Sequence, residues 1–242
     1  MNERVKPRIA IGYPHNGGVR ECFMSSVIGA MAFDAANEGL LGGIIPEKGL
    51  YIAGVRNNIV SKFLTTDLEW LLMIDTDQVF APEAPYWLLA AAAEANARVV
   101  SALYLGILAD NLAPMWWYIN DRGDYSTVHT IKPGLQEIAG FGTGMCLIHR
   151  SVFEEMAPHY PDDPWKWFNH DLVPFNGHLT RIGEDLGFCR RVSELGIKMY
   201  GDSRVCIGHD KSQVITIETY MKSMTQRKEG EPLIERVLDA RV

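Results

Sequence analysis

One stretch constrains the fold of this chain more than any other: residues 69–74, of which the last five are all apolar. The run has the length of a strand and shows no alternation of polar and apolar residues. A strand of this kind is buried on both faces, which is the position of a central strand in a parallel sheet covered by helices. Residues 69–74 therefore predict an α/β domain with this strand inside its sheet.

Strand and helix patterns alternate before and after this run. In the first half, the pattern predicts strands at residues 8–14, 40–46 and 98–104, and helices at residues 21–37, 56–64 and 88–97. In the second half, it predicts irregular segments at residues 106–137 and 162–180, strands at 138–148 and 197–207, and helices at 183–195 and from Ser151, with this serine as an N-cap.

This order of elements favours one doubly wound domain, with a mostly parallel sheet flanked by helices and an elaborated C-terminal half. We expect the domain to span residues 1–211. Residues 212–242 are expected to form a C-terminal helical tail.

Charge and cysteine content narrow the class of protein. The 242 residues carry a formal net charge of −7, which argues mildly against a broad nucleic-acid-binding surface, because phosphate contacts need clustered Lys and Arg. The four cysteines are widely spaced, without a Cys-x-x-Cys pair, as is typical of reduced thiols in a cytoplasmic protein. The longest apolar tract, residues 87–108, is interrupted by Glu94, Asn96 and Arg98, which argues against a membrane span.

Three acidic or basic motifs stand where predicted strands or loops end. Asp75 and Asp77 follow the central strand, at the sheet edge where α/β domains bind ligands, and alternate residues of an extended segment point the same way. A carboxylate pair there suits Mg²⁺ or Mn²⁺, although a solvated turn would also explain it. His209 follows the last strand and would reach the same edge, and it could equally be structural.

Glu184 and Asp185 open a predicted helix after a long polar segment. Acidic side chains at a helix N-terminus are stabilised by the free amides and the dipole, so the pair has a structural explanation. It also has a chemical one, since a carboxylate at the rim of a cleft can act as a general base.

Together these motifs resemble the family 2 glycosyltransferases and their relatives with the GT-A fold, over residues 8–211. The matching pieces come in the family's order: Gly-Tyr-Pro-His-Asn-Gly-Gly at residues 12–18, Arg-Asn at 56–57, Leu-Met-Ile-Asp-Thr-Asp at 72–77, Gly-Phe-Gly-Thr-Gly at 140–144, Gly-Glu-Asp at 183–185 and Gly-His at 208–209. The resemblance implies a nucleotide-sugar half at about residues 1–105 and an acceptor half at about 106–211.

The resemblance also implies a role for each matching residue. For the nucleotide-sugar donor, the implied contacts are Pro14, His15, Asn16, Arg56, Asn57, Asp75, Gly142 and Gly144. For Mn²⁺ or Mg²⁺, the implied ligands are Asp75, Asp77 and His209. Asp185 would remove the acceptor proton in an inverting transfer, and Glu184 would orient donor or acceptor hydroxyls. UDP is the expected nucleotide, although residues 42–49 lack the Asp-x-Ser-x-Asp pattern common in the family.

Aromatic residues of the second half are candidates for the acceptor site. Trp116, Trp117, Trp165, Trp167 and His170 could stack on a sugar ring or a base, or could pack in the core beneath long segments. The acceptor could be a glycan, a small molecule or a modified DNA base, the last in a phage-type enzyme.

Two other classes of protein remain open at this stage. A sugar-phosphate nucleotidyltransferase uses a similar fold and acidic metal ligands, and residues 17–20 faintly suggest its Gly-rich opening segment. A non-catalytic nucleotide-sugar or glycan-binding module is the second, and the intact acidic pairs and His209 argue against it.

Overall fold

Seven strands form the central sheet of the protein, and helices pack on both of its faces. The computed structural model describes residues 8–108, 111–175, 178–211, 214–218, 220 and 221. In chain order, the strands are β1 (Ile9–His15), β2 (Leu41–Lys48), β3 (Trp70–Ile74), β4 (Gln78–Val79), β5 (Val99–Leu103), β6 (Leu105–Leu108), β7 (Asn111–Pro114), β8 (Trp116–Ile119), β9 (Tyr125–Thr127), β10 (Leu135–Ile138), β11 (Gly140–Phe141), β12 (Met145–His149), β13 (Leu172–Phe175), β14 (His178–Arg181), β15 (Met199–Cys206), β16 (Gly208–Asp210) and β17 (Val214–Ile215). The helices are α1 (Glu21–Ala36), α2 (Ile52–Leu64), α3 (Ala84–Ala95), α4 (Arg150–Met156) and α5 (Glu184–Glu194), with a 3₁₀ turn at Ala157–His159.

The order of strands across the central sheet is β10-β15-β5-β12-β3-β1-β2. Strands β2, β1, β3, β5 and β15 run in one direction, whereas β12 and β10 are antiparallel to their neighbours. The predicted α/β fold with a mostly parallel sheet is therefore confirmed, and β3 lies inside the sheet between β1 and β12.

Both faces of the sheet are buried, as the uninterrupted apolar run of β3 predicts. Leu71 and Met73 belong to a core that includes residues of α2, α4 and α5, whereas Leu72 and Ile74 belong to a second core with residues of α1 and α3. Successive side chains of a strand point to opposite faces, so one strand contributes to both cores. The doubly wound arrangement follows directly from this division.

The segment at residues 106–137, expected to be irregular, contains two hairpins instead: β6 pairs with β7, and β8 pairs with β9. The side-chain oxygen of Asn120 accepts hydrogen bonds from the backbone N–H groups of Arg122 and Asp124, and Gly123 has a φ of +83°. These are the interactions that Asn and Gly commonly supply in tight turns. Asn120 and Gly123 therefore stabilise the turn of the β8–β9 hairpin, although the overall composition of the segment does not indicate strands.

Three further expectations for the second half were wrong in detail. Residues 138–148 form parts of three strands, because the chain leaves the central sheet after β10 and pairs β11 with β8 before it returns as β12. Residues 162–180 include the β13–β14 hairpin. The N-cap of α4 is His149, whose ring accepts a hydrogen bond from the backbone N–H of Ser151.

Only the beginning of the expected helical tail lies among the described residues. Val214 and Ile215 form the short strand β17, which pairs with β16, and residues 222–242 lie outside the described residues. Within the described part of the chain, no helix has both the length and the apolar character needed to cross a membrane.

Candidate active site

The carboxyl ends of β1 and β3 line a cavity of about 580 Å³. Pro14, His15 and Asn16 reach it from β1 and the loop that follows, and Asp75 and Asp77 reach it from the segment after β3. Because β1 and β3 are adjacent and parallel, their carboxyl ends lie at the same edge of the sheet, where α/β domains bind ligands. With Arg56, which lines the same cavity, the structure thus brings six of the predicted site residues together.

Arg56 lines the same cavity from α2 and is only 4% exposed. Its Nη2 donates a hydrogen bond to Asp75 Oδ1 at 2.7 Å, and its Nη1 donates to Glu184 Oε1. The Nε of Arg56 is buried and has no hydrogen-bond partner among the described residues. One guanidinium therefore joins β3, α2 and α5 and places the Glu184–Asp185 pair beside the acidic motif of β3.

The carboxyl group of Asp185 is unusually basic. Burial raises its pKa to about 6, with a further contribution from the negative charge of Glu184, while the Arg56 guanidinium acts in the opposite direction. Burial likewise raises the pKa of Asp75 above its usual value, against the lowering effect of Arg56. A carboxylate with a pKa near the working pH is a more effective proton acceptor than an ordinary Asp.

Asp77 and His209 are brought together by the short antiparallel pairing of β4 with β16. His209 Nε2 lies 3.2 Å from Asp77 Oδ2, and Lys211 Nζ lies 2.8 Å from the same oxygen. Burial on its own would raise the pKa of Asp77, but the hydrogen bonds from His209 and Lys211 lower it below its usual value. Asp77 is therefore an anion at neutral pH, held by two basic side chains.

The hydrogen bonds of His209 determine its tautomer. Its Nδ1 lies 2.8 Å from the backbone oxygen of Leu105, which can only accept, so Nδ1 carries a proton. A hydrogen bond from Nε2 to Asp77 then requires a ring that is protonated on both nitrogens. In the neutral ring, Nε2 and the carboxylate oxygen are both acceptors, and a cation between them would remove this conflict. A metal-binding histidine commonly has this arrangement, with its other ring N–H donated to a backbone carbonyl.

The donor set fits a divalent cation with two protein ligands, Asp77 and His209. Adjacent ligands of an octahedral ion with bonds of about 2.1 Å lie roughly 3 Å apart, close to the observed separation. Across the residues that the structure describes, no group of three or more His, Cys, Asp and Glu side chains could hold a metal ion. Of the three predicted metal ligands, only Asp77 and His209 therefore lie together, whereas Asp75 forms an ion pair with Arg56.

Gly142 and Gly144 contact a protein side chain. A methyl group on Gly142 would overlap the hydroxyl of Tyr104, and one on Gly144 would overlap its ring. Tyr104 is 4% exposed, and the centre of its ring lies 5.3 Å from that of His209. The two glycines therefore allow Tyr104 to pack beside His209, and they are not among the residues that line the cavity.

Asn57 holds a loop and is not among the residues that line the cavity. Its side-chain nitrogen donates to the backbone oxygens of Ala53 and Phe168, and its side-chain oxygen accepts from the backbone N–H of Trp167. Asn57 is 3% exposed, so these contacts account for its buried amide. The predicted contact of Asn57 with the nucleotide is therefore not supported by its position.

The predicted acceptor residues divide between the core and the surface. Trp116 and Trp167 are buried, and their indole N–H groups donate to the backbone oxygens of Ala102 and Phe153. An acceptor cannot reach either ring in this structure. Trp117 lines a second cavity, of about 1050 Å³.

Trp165 is exposed and His170 is half-buried, and both pack near Tyr51, whose chain neighbours Leu50 and Ile52 line the first cavity. Trp165 is 37% exposed, and its ring centre lies 4.8 Å from that of Tyr51. His170 is 6.0 Å from Tyr51 by the same measure, and its Nε2 lies 3.9 Å from Glu184 Oε2. These three rings form an aromatic cluster beside the acidic pair of α5.

Sequence reasoning missed two residues of this site, Lys211 and Tyr51. Lys211 lies two positions after His209, and the alternation of side chains in an extended segment was a signal that could have found it. Tyr51 precedes the first residue of α2, and no sequence pattern marked it.

Comparison with known proteins informs the fold. The sequence matches no protein-family model and no curated protein. Among 268 matching chains of solved structures is A197 from STIV, which is 19% identical, with a TM-score of 0.57 over 88% of this chain and 91% of that chain. Another is a glycosyltransferase involved in the glycosylation of the major capsid of PBCV-1, 13% identical, with a TM-score of 0.35 over 65% of this chain and 68% of that chain.

The likeness to A197 concerns the fold alone, and the second match is too distant to carry an argument. The mixed α/β architecture, with its large and mostly parallel sheet, is consistent with a GT-A-like fold. Membership of glycosyltransferase family 2 stays a prediction. A fold of this kind hosts several activities, so the function has to be argued from the site.

Arg56→Met should lower the free energy of unfolding by about 3 kcal/mol or more, because it leaves the Asp75 and Glu184 carboxylates without their cation in a buried position. Urea denaturation followed by circular dichroism would measure this. Arg98→Met is the matched control, since Arg98 is 36% exposed and its ion pair with Glu155 should contribute less than about 1 kcal/mol. Equal losses in the two variants would contradict the structural role of Arg56.

Asp185 should titrate near pH 6 in a carboxyl-carbon NMR experiment, and Asp185→Asn should remove that resonance. A raised pKa means that the folded state holds the proton more tightly than the unfolded state. The resulting stabilisation is complete below about pH 3.9 and is lost as the pH rises through about 6. Asp185→Asn should therefore lose less stability than the unmodified protein between pH 4 and 7. Titration of Asp185 near pH 4 would show that the group is not buried as described.

Proposed function

We propose that the protein transfers a sugar from a nucleotide-sugar donor to an acceptor hydroxyl. One observation carries this proposal: the Arg56 guanidinium forms ion pairs with both Asp75 and Glu184. Asp75 lines a cavity of a size that suits a nucleotide, and Glu184 precedes Asp185, whose pKa is raised. In this proposal, the donor site and the general base are adjacent at the carboxyl edge of the sheet. The resemblance of the sequence motifs to glycosyltransferases points to the same chemistry.

In the proposed reaction, the hydroxyl oxygen of the acceptor attacks the anomeric carbon of the donor sugar, and Asp185 accepts the hydroxyl proton. The new glycosidic bond forms on the face of the sugar opposite the leaving group. The bond between the anomeric carbon and the phosphate oxygen breaks, and the nucleoside diphosphate leaves with its electron pair. The configuration at the anomeric carbon is inverted. The rate should rise with pH through about 6, because only the ionised form of Asp185 can accept the proton.

Asp77 and His209 are the residues that we assign to a divalent cation, Mn²⁺ or Mg²⁺. When bound, such a cation would neutralise negative charge on the diphosphate. Lys211 holds the same carboxylate oxygen of Asp77 and would have to give up this contact to make room for the cation. Asp75 keeps its ion pair with Arg56 in this proposal and faces the donor from the cavity wall.

The cavity has room for a nucleoside diphosphate. Pro14, His15 and Asn16 line one side of it, and Leu50, which is 95% exposed, lies at its rim. Arg20 also lines the cavity, and its guanidinium is paired with Asp210. We propose UDP as the nucleotide on the sequence resemblance alone, so the first experiment compares it with the other nucleoside diphosphates.

Calorimetric titration of UDP in the presence of Mn²⁺ tests the donor and metal assignments. Binding should weaken by about tenfold or more in EDTA and in Asp77→Ala, because both remove the cation from the diphosphate. Asp121→Ala is the matched control, since Asp121 is an exposed aspartate at the tip of the β8–β9 hairpin. Equal binding with and without Mn²⁺ would overturn the metal assignment, and a loss in Asp121→Ala would reveal a nonspecific charge effect.

Turnover distinguishes sugar transfer from nucleotidyl transfer and from non-catalytic binding. A glycosyltransferase should slowly hydrolyse its nucleotide-sugar donor without an acceptor, and Asp185→Asn should reduce this rate about a hundredfold while UDP binding is retained. Chromatography would measure the nucleoside diphosphate that each nucleotide sugar of a panel releases, for the wild-type protein and for Asp185→Asn. Binding without hydrolysis would indicate a binding module. Release of pyrophosphate from a nucleoside triphosphate and a sugar phosphate would indicate a nucleotidyltransferase, which Arg20 in the cavity wall would also suit.

A further inference from the structure

The cavity of about 1050 Å³ shares no lining residue with the nucleotide-sized cavity. Trp117 and Tyr125 line it from the β8–β9 hairpin, Leu172 and Val173 from β13, and Leu186 from the first turn of α5. Three elements thus surround a concave space. Its size is that of a site for a small molecule, whereas protein partners generally bind to broader and flatter surfaces.

This cavity borders the turn of α5 that carries the proposed general base, although Asp185 itself is not among the residues that line it. Ile182 and Leu186 both line it, and they flank the Glu184–Asp185 pair in the sequence. Leu186 also lies within contact distance of Gly140, where an added methyl group would overlap it. A molecule in this cavity would therefore lie against the turn of α5 that carries Asp185.

The lining is mostly apolar and indicates a largely apolar ligand, although Arg122 and Asp124 also line the cavity at the turn of the β8–β9 hairpin. Ile119 and Leu172 line the cavity and remain 47% and 62% exposed. Arg190 contributes a cation, but Asp171 and Glu194 both pair with it. Exposed apolar side chains in a concave site gain free energy when a ligand removes them from water.

We propose that this cavity, the acceptor groove, binds the apolar portion of an amphipathic acceptor and presents a hydroxyl of that acceptor to Asp185. The ligand class is an alkyl or aryl glycoside, or another hydroxyl compound with an uncharged apolar group. The assignment as an acceptor site rests on the proposed glycosyl transfer. The presence of a binding site for such compounds rests only on the groove.

Octyl glucoside and methyl glucoside are the probes that separate these points. They share a sugar and differ in the apolar tail. Calorimetric titration of the full chain, below the concentration at which octyl glucoside forms micelles and without nucleotide, should give at least about tenfold tighter binding for octyl glucoside. Equal affinity of the two probes, or no binding of either, would overturn the proposal.

Two leucines of one hairpin provide matched variants. Leu172 lines the groove, whereas Leu179, on the paired strand, is 69% exposed and is not among the residues that line it. Leu172→Asp should weaken octyl glucoside binding about tenfold, and Leu179→Asp should leave it unchanged. Similar losses in both variants would overturn the proposal. Thermal unfolding of each variant would verify that it is folded.

The groove and the proposed function can fail independently. Octyl glucoside binding that depends on Leu172, in a protein that binds no nucleoside diphosphate and hydrolyses no nucleotide sugar, would keep the groove as a binding site and overturn transfer. Nucleotide binding and donor hydrolysis without a preference for octyl glucoside would keep transfer and overturn the groove.

Discussion

The buried ion pairs of Arg56 hold the site together. Asp75 at the end of β3 and Glu184 at the start of α5 both pair with its guanidinium, and Asp185 lies next to them. Three carboxyl groups in a desolvated region would repel one another without a cation. Arg56 therefore permits the central strand and α5 to approach at this point. The raised pKa of Asp185 reflects burial first and the negative charge of Glu184 second, and Arg56 offsets these effects only in part.

The sequence was sufficient for the parts of the structure that depend on local patterns. The apolar run of β3 predicted a strand buried on both faces, and the rule that strand ends meet at one sheet edge placed Asp75, Asp77 and His209 in one region. The start of α5 at Glu184 followed from its helical pattern. Each of these inferences needed only strand direction and side-chain periodicity.

Other parts depended on partners that are distant in the chain. Neighbouring residues Arg56 and Asn57 have different roles, because successive side chains of a helix point about 100° apart and only packing decides what each one meets. Trp116 and Trp117 differ in the same way on a strand. An aromatic residue suits both a core and a binding site, so composition alone could not separate Trp116 and Trp167 from Trp165.

The two aspartates of the acidic motif differ in the cations that neutralise them. Asp75 is paired with Arg56, a buried cation fixed by a second ion pair to Glu184. Asp77 is held by Lys211, which is 46% exposed and is attached to a flexible side chain. A fixed cation maintains the geometry, whereas an exposed lysine can be replaced at low cost. Alternate residues of one short segment are therefore neutralised in different ways, and this difference is the reason why we assign the proposed cation to Asp77 and leave Asp75 with Arg56.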